Sequence, residues 1–136
     1  MILVINKCYG GFGVSVKGIQ RWAELSGRPC YFFRLLAGRM LVSITAAEAE
    51  GELCSHAYDI PDPAVDMPHE DHQRYALNPD TRRDNTFLVQ VVEELGAAAN
   101  GRHAKLAVVE IPDDVDWTIE EYDGQEWVAE RHRTWS

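Results

Sequence analysis

A glycine-rich turn followed by a helix-capping serine is the first feature that could bind a ligand. Residues 9–13 read Y-G-G-F-G, and Ser15 can cap a helix that starts after it. Backbone N–H groups of such a turn and of a helix N-terminus can hold a phosphate. The segment has neither the Gly-Lys-Ser/Thr ending of a P-loop nor the spacing G-x-G-x-x-G, so a tight strand-to-helix turn anchored by Tyr9 and Phe12 is the alternative interpretation. The candidate ligand-binding residues are Tyr9, Gly10, Gly11, Phe12, Gly13 and Ser15.

The end of the sequence brings cations and an indole ring close together in an otherwise acidic chain. Guanidinium groups pair with phosphates and stack on rings, so these residues could hold a nucleotide. Tyr122 and Trp127 add aromatic surface nearby. In the alternative interpretation, Trp135 closes the core and the arginines form surface ion pairs with Glu126, Glu130 or acids of another subunit. The candidate ligand-binding residues in this segment are Arg131, His132, Arg133 and Trp135.

Histidines and carboxylates between residues 56 and 72 form the third group that could do chemistry. His69-Glu70-Asp71-His72 offers four potential metal ligands, which His56 and Asp59 could join. His69 and His72 are three positions apart rather than the four of H-E-x-x-H, so the spacing does not support a zinc-protease helix. We interpret the segment as a solvated loop. No catalytic residue, metal ligand or cofactor is assigned, and an enzymatic role is the less favoured expectation.

Length and composition predict one globular domain over residues 1–136. The chain is 46% hydrophobic and 26% charged, which excludes an extended disordered protein. Its formal charge of -9 argues against general binding to a nucleic-acid backbone, because that binding depends on Lys and Arg neutralising phosphates. Arginines outside the C-terminal group could each line an anion pocket, but solvated surface positions are the favoured expectation for Arg21, Arg28, Arg34, Arg82 and Arg83.

Neither a membrane segment nor a redox site is expected. The apolar opening M-I-L-V-I ends at Asn6, well short of a signal peptide's apolar region or of a span of about 20 residues. Cys8, Cys30 and Cys54 are odd in number and contain no C-x-x-C pair. Buried, reduced thiols are therefore expected.

Hydrophobic spacing and turn residues predict an α+β fold with a single domain, a mixed or antiparallel β-sheet and two principal helices. The helices are expected over Val16 to Ser26 and from Asp84 or Asn85 to near Asn100. Asp123-Gly124 predicts a two-residue hairpin turn. The predicted strands are Met1 to Cys8, Tyr31 to Leu36, Met40 to Thr45, Leu53 to Tyr58, Ala104 to Ile111, Asp116 to Tyr122 and Glu126 to Glu130. Pro61 to Asp84 is expected to be mainly loop with one helical turn around His69 to Tyr75, and Ala46 to Glu50 also suits a helical turn.

Three blocks of the sequence resemble a family of small proteins encoded by tailed bacteriophages and prophages. They are V-I-N-K-C-Y-G-G-F-G-V-S at residues 4–15, L-V-Q-V-V-E-E-L-G-A-A-A-N-G at residues 88–101, and I-E-E-Y-D-G-Q-E-W-V-A-E-R-H-R-T-W at residues 119–135. The resemblance implies a phage or prophage origin and the cytoplasm of the bacterial host as the location. It contributes no catalytic residues, because members of the family generally lack an assigned activity. Accessory phage genes of this size often act against host defence.

Three functional hypotheses follow from these features. The leading one is a phage counter-defence protein that binds a small nucleotide-type host signal, without catalysis, at an interface of a homo-oligomer. Arginines, aromatic rings and the Gly10 to Gly13 turn would contact its phosphate and base. The second is an acidic inhibitor of a host defence protein, and the third is a nucleotide-processing enzyme that uses the segment from His56 to His72.

Overall fold

The computed structural model describes residues 1–52 and 55–131 of the chain. These residues form the strands β1 (Ile2–Asn6), β2 (Tyr31–Leu36), β3 (Met40–Ile44), β4 (His56–Tyr58), β5 (Leu106–Glu110), β6 (Trp117–Tyr122) and β7 (Gln125–Glu130). The helices are α1 (Val16–Leu25), α2 (Ala46–Glu50), α3 (His69–Tyr75) and α4 (Thr86–Leu95), with short 3-10 turns at Pro79–Thr81 and Gly96–Ala99. Two compact units can be distinguished, residues 1–18 with 80–131, and residues 19–79.

The first unit is built on the antiparallel pair β1 and β5, the helix α4 and the hairpin of β6 and β7. Leu3 lies opposite Val109 and Val4 opposite Val108, and both β1 residues are fully buried. Consecutive buried residues are typical of a strand that is covered on both faces. The packing of α4 against β1 and β5 provides part of that cover. Its N-terminus is capped by the side chain of Asn85, which accepts hydrogen bonds from two backbone N–H groups.

The second unit contains a three-stranded antiparallel sheet in the order β3-β2-β4. Phe32 and Phe33 of the central strand are buried, and α2 packs against the same strand. A capping box starts α2, in which Thr45 and Glu48 each accept a hydrogen bond from the other's backbone N–H. This reciprocal capping explains why a helix of only five residues forms at this position.

Arg28 connects the region after α1 to the segments that flank α3 within the second unit. Its Nε lies 2.9 Å from Oδ2 of Asp59, and its Nη2 donates to the carbonyl oxygen of Arg74 at 3.1 Å. The guanidinium also lies 5.8 Å from the centre of the Trp22 ring. One arginine therefore holds a helix end, a loop and the end of α3 together.

The predicted α+β fold is confirmed, with antiparallel pairing in each ladder of the described residues and two principal helices of ten residues each, α1 and α4. The Asp123-Gly124 turn and the helices over Ala46–Glu50 and His69–Tyr75 are present as expected. The first strand ends at Asn6 rather than Cys8, because the Asn6 side chain caps the chain beyond it. The start of the predicted strand Leu53 to Tyr58 lies outside the described residues. One domain over residues 1–136 stays a prediction.

No helix in residues 1–52 and 55–131 combines the length and apolar character that a membrane span requires.

Candidate functional site

The candidate site lies where the chain leaves β1 and runs beside the segment that enters β5. The backbone N–H of Lys7 donates to the carbonyl oxygen of Lys105 at 2.8 Å, and the Cys8 thiol donates to the carbonyl oxygen of His103 at 3.2 Å. Gly10 also packs against His103, because a Cβ built on this glycine would lie 2.8 Å from the His103 Cβ. Residues 7–10 and 103–105 thus form two neighbouring stretches of backbone.

Asn6 holds these two stretches in place. It is fully buried, and its Nδ2 donates to the carbonyl oxygens of Cys8 at 2.7 Å and Gly124 at 2.8 Å. Its Oδ1 accepts the backbone N–H of Lys105 at 2.8 Å. A buried amide with its donors and acceptor all bonded fixes the local backbone, since leaving any of them unpaired costs about 1–3 kcal/mol. The surface that carries Lys7 and Lys105 therefore rests on a fixed support.

The Gly10-Gly11 turn is in direct backbone contact with the hairpin turn of β6 and β7. Gly10 and Gly11 have φ angles of 125° and 111°, and the Gly10 N–H donates to the carbonyl oxygen of Asp123 at 3.1 Å. A Cβ built on Gly124 would lie 2.6 Å from the Gly10 nitrogen, which is closer than real Cβ atoms approach. The Gly10 N–H is thus already used within the chain, which weakens its part in the predicted phosphate cradle.

Ser15 caps α1, as the sequence predicts, and its hydroxyl is also used within the chain. Its Oγ accepts the N–H of Gly18 at 3.0 Å and donates to the carbonyl oxygen of Ala98 at 2.6 Å. Its backbone N–H donates to Ala99 at 2.9 Å. Gly13 lies nearby, and its carbonyl oxygen accepts the N–H of Gly101 at 2.8 Å. These contacts fit the alternative interpretation, a tight strand-to-helix turn.

The ring of Phe12 is covered by Arg83, so this face of the ring is not available to stack on a nucleotide base. The Cζ of Arg83 is 3.6 Å from the centre of the Phe12 ring, within cation–π range. The same guanidinium forms two hydrogen bonds with Glu126, from Nη1 to Oε1 at 2.7 Å and from Nη2 to Oε2 at 2.9 Å. The expectation that Arg83 is solvated is wrong, because its side chain is only 15% exposed and its polar atoms are satisfied by the fold.

Basic side chains lie along the two neighbouring stretches of backbone. Lys7, Arg102, His103 and Lys105 are exposed, and the two lysines directly follow or precede the paired residues Asn6 and Leu106. Within the described residues neither lysine has an ion-pair partner. Tyr9 projects beside this group with 62% of its surface exposed. We name Lys7, Tyr9, Arg102, His103 and Lys105 the cationic patch.

The two groups of residues predicted for the ligand site are Tyr9 to Ser15 and Arg131 to Trp135. Arg131 does not bring the second group to the first. Its backbone N–H donates to the carbonyl oxygen of Asp116 at 2.8 Å, and its Nε is 3.8 Å from the Asp116 carboxylate. Arg131 directly follows the last residue of β7. The Asp123-Gly124 turn, which contacts Gly10, lies before the first residue of β7. At about 3.3 Å per residue, the two ends of β7 are roughly 17–20 Å apart. The other predicted residues of the second group, His132, Arg133 and Trp135, lie outside the described residues.

The lysines and histidine of the cationic patch were not among the residues predicted for the site. Lys7 stands in an apolar segment, and residues 102–105 read R-H-A-K, which carries no motif. Their proximity depends on the pairing of β1 with β5, across about a hundred residues, so no local signal reveals it. A cationic residue inside the predicted buried strand Met1 to Cys8 is the indication that the sequence offers.

The histidine segment of the second unit forms a hydrogen-bonded structure. The Tyr58 hydroxyl lies 2.9 Å from His72 Nδ1, and His72 Nε2 lies 3.1 Å from the Val65 carbonyl oxygen. Because a carbonyl can only accept, the neutral ring carries its proton on Nε2 and accepts from the tyrosine at Nδ1. Burial raises the pKa of the Tyr58 phenol. Among residues 1–52 and 55–131 no group of three or more His, Cys, Asp or Glu side chains is arranged to hold a metal ion.

The thiols differ in their surroundings. Burial raises the pKa of the Cys30 thiol to about 11, so this residue is a poor nucleophile at neutral pH. Cys8 is half-buried and bonded to the backbone of His103. Cys54 lies outside the described residues.

No protein-family model, curated protein or solved structure matches this chain.

Proposed function

We propose that the chain binds a small phosphate-containing ligand of nucleotide type at the cationic patch. The observation that carries the proposal is the pair Lys7 and Lys105, which lie side by side through a backbone hydrogen bond of 2.8 Å. Like charges opposite each other on neighbouring strands are unfavourable, and an anion bound between them relieves that repulsion. The chain as a whole has a net charge of -9, so two neighbouring lysines make this part of its surface locally positive.

Tyr9 gives the patch a means of recognising a base. Its ring is 62% exposed beside the Gly10-Gly11 turn, and an exposed ring next to cations suits stacking on a planar heterocycle. The exposed Asp123 lies in the hairpin turn that the Gly10 N–H contacts, and its carboxylate can accept hydrogen bonds from exocyclic amines of a base. The proposed ligand therefore contacts the lysines with its phosphate and the tyrosine with its base.

Counter-defence by sequestration is the biological role that we propose for this binding. It is supported by the resemblance to tailed-phage and prophage proteins in the three blocks at residues 4–15, 88–101 and 119–135. The first block contains both Lys7 and the Gly10-Gly11 turn. Homo-oligomerisation and a location in the cytoplasm of the bacterial host belong to the same proposal, as does participation of His132, Arg133 and Trp135 in the ligand site, whereas Arg131 is left out of it.

The experiment is native mass spectrometry of the protein as purified from bacteria, followed by calorimetric titration with ADP-ribose and with cyclic di-AMP as probes. We expect a released nucleotide-type molecule, or micromolar binding of a probe that weakens at high salt. In the double variant Lys7→Gln with Lys105→Gln, affinity should fall roughly tenfold or more, since two charge-assisted contacts are lost. Lys17→Gln is the matched control, because it removes an exposed lysine on α1 and should leave affinity unchanged.

Variants of Tyr9 separate base stacking from phosphate binding. Tyr9→Ala should weaken binding of the nucleotide probes but leave binding of inorganic pyrophosphate unchanged. Tyr9→Phe should bind both as the unsubstituted protein does. An empty protein that binds none of these probes would rule the function out. Binding that is indifferent to both lysines would instead move the site away from the cationic patch.

A second candidate function is an acidic inhibitor of a host defence protein. The observation that favours it is the pair of exposed aromatic side chains on the acidic hairpin of β6 and β7, Tyr122 and Trp127. Retention of a basic host protein on immobilised chain, released by salt and accompanied by no small molecule, would support it.

A further inference from the structure

The hairpin of β6 and β7 presents one face to solvent. Its register pairs Glu120 with Trp127 and Tyr122 with Gln125, so these four side chains lie on the same face. The opposite face carries Glu126, which turns inward to Arg83 with only 9% of its side chain exposed. Alternation along each strand therefore puts these four side chains on the face opposite Glu126, which we call the free face, although Glu121 and Glu130 on the side of Glu126 are also exposed.

Two aromatic rings dominate the free face. Tyr122 is 70% exposed and Trp127 44% exposed, and they occupy diagonal positions on neighbouring strands. Single exposed apolar residues are ordinary in soluble proteins. Two adjacent aromatic rings on one sheet face form instead a surface of the kind that is enriched at recognition sites.

The charge around the rings is negative. Glu120 is exposed directly opposite Trp127, and the exposed Asp123 follows Tyr122 at the turn. Carboxylates beside the electron-rich faces of tryptophan and tyrosine attract guanidinium and ammonium groups by ion pairing and by the cation–π interaction. The net charge of -9 adds long-range attraction for a basic partner and repels nucleic acid.

Hydrogen bonds and an ion pair hold the backbone under this face in place. Asp123 and Gly124 form the turn with φ angles of 50° and 90°, and the Gly124 N–H donates to the Glu121 carboxylate at 2.9 Å. The Glu126 ion pair with Arg83 fixes the start of β7 from below. A rigid surface loses little conformational freedom on binding, which favours affinity.

We infer that this face, formed by Glu120, Tyr122 and Trp127, binds an arginine- or lysine-rich segment of a protein partner. The inference rests on the second candidate function and identifies the surface that would carry it. Charge complementarity identifies this partner, because a cationic side chain can form a cation–π contact with the rings and an ion pair with the carboxylates.

The test is a fluorescence-anisotropy titration of a labelled peptide of alternating arginine and glycine with the full chain. We expect salt-sensitive binding that weakens roughly three- to tenfold in Trp127→Ala, the range of one or two exposed cation–π contacts. Glu120→Lys should weaken it at least as much. Glu93→Lys is the matched control, because it makes the same charge change at an exposed position on α4. Circular dichroism verifies that each variant is folded.

The outcomes distinguish the surface from the function. Equal weakening by Glu120→Lys and Glu93→Lys, with no effect of Trp127→Ala, would leave an acidic binder but overturn this face as its site. Absence of binding even at low salt would overturn the inference, whereas the second candidate function fails only when no basic host protein is retained on the immobilised chain. A dimer in sedimentation that is lost in Trp127→Ala would assign the face to a second copy of the chain and overturn the inference.

Discussion

Arg83 and Glu126 form a two-pronged ion pair at 2.7 and 2.9 Å that joins the segment before α4 to the hairpin of β6 and β7. Their side chains are 15% and 9% exposed, and Glu126 also accepts the backbone N–H of Asn6 at 2.8 Å. The pair therefore connects three parts of the first unit: the hairpin, β1 and the entry to α4.

Removing one partner of this pair should be strongly destabilising. In Arg83→Met the carboxylate loses both guanidinium contacts while it stays buried, and we expect a loss of about 3 kcal/mol in the free energy of unfolding. Urea denaturation measures the difference. Arg131→Met is the matched control, because its ion pair with Asp116 is 3.8 Å long and mostly exposed, and about 0–1 kcal/mol is expected. Equal effects of the two substitutions would contradict the structural role of Arg83.

Gly124→Ala should lower the stability of the fold by more than the strain of a positive φ angle accounts for. Gly124 has φ 90°, and an added Cβ would approach the Gly10 nitrogen to 2.6 Å, so the two turns must separate. Gly38→Ala is the control, since this glycine has φ 67° but nothing within 4 Å of an added Cβ. Its expected cost is about 1–2 kcal/mol from the left-handed conformation alone. Thermal unfolding should give Gly124→Ala a melting temperature well below that of Gly38→Ala. A reversed order of melting temperatures would show that the two turns are not in contact.

The Cys30 thiol should react with iodoacetamide only at high pH. Because burial raises its pKa to about 11, the thiolate fraction rises about tenfold per pH unit from pH 8 until the pKa is approached. Peptide mapping by mass spectrometry reports the alkylation rate at this residue alone. A rate that levels off near pH 9.0, the ordinary value for a thiol, would mean that the residue is open to solvent.

The carboxyl group of Glu48 should titrate below its ordinary value, and Thr45 should be the reason. Hydrogen bonds from the Thr45 backbone and side chain lower the pKa of Glu48, with a smaller contribution from Arg34. The lowered pKa means that the interaction stabilises the fold at neutral pH and is lost as the pH falls below 4.5 through the pKa of the folded state.

NMR titration of Thr45→Ala should show the Glu48 pKa moving upward, while Thr45→Ser, which retains the hydroxyl, should leave it low. Loss of the cap itself should cost on the order of 1 kcal/mol. An unchanged Glu48 pKa in Thr45→Ala would show that the backbone N–H of Thr45, which the variant keeps, lowers the pKa without help from the hydroxyl.

Elements that depend on neighbours in sequence were predictable. Caps lie within a few residues of the helices that they start, so Ser15 and Asn85 mark α1 and α4 correctly, and Asp123-Gly124 marks the hairpin. The alternative helical turn at Ala46 to Glu50 is real because Thr45 and Glu48 form their capping box locally.

Buried polar residues were not predictable, because their partners are distant in sequence. Asn6 interrupts an apolar segment, and nothing local indicates that it bonds to Lys105 and Gly124, 99 and 118 positions away. Arg83 was expected in solvent for the same reason, since Glu126 is 43 positions from it. The cationic patch depends on the same long-range pairing, so its lysines carry no motif.

The hydrogen bond from Asn6 to Gly124 has a consequence for how the chain is made on the ribosome. The strand with Leu3, Val4 and Ile5 is synthesised before the residues that complete its surroundings, which emerge more than a hundred codons later. At about 5–20 residues per second, this strand stays unprotected for roughly 6–24 seconds. Nascent chains truncated before residue 124 are therefore expected to bind chaperones and to be cleaved by proteases near the N-terminus, whereas longer ones resist both.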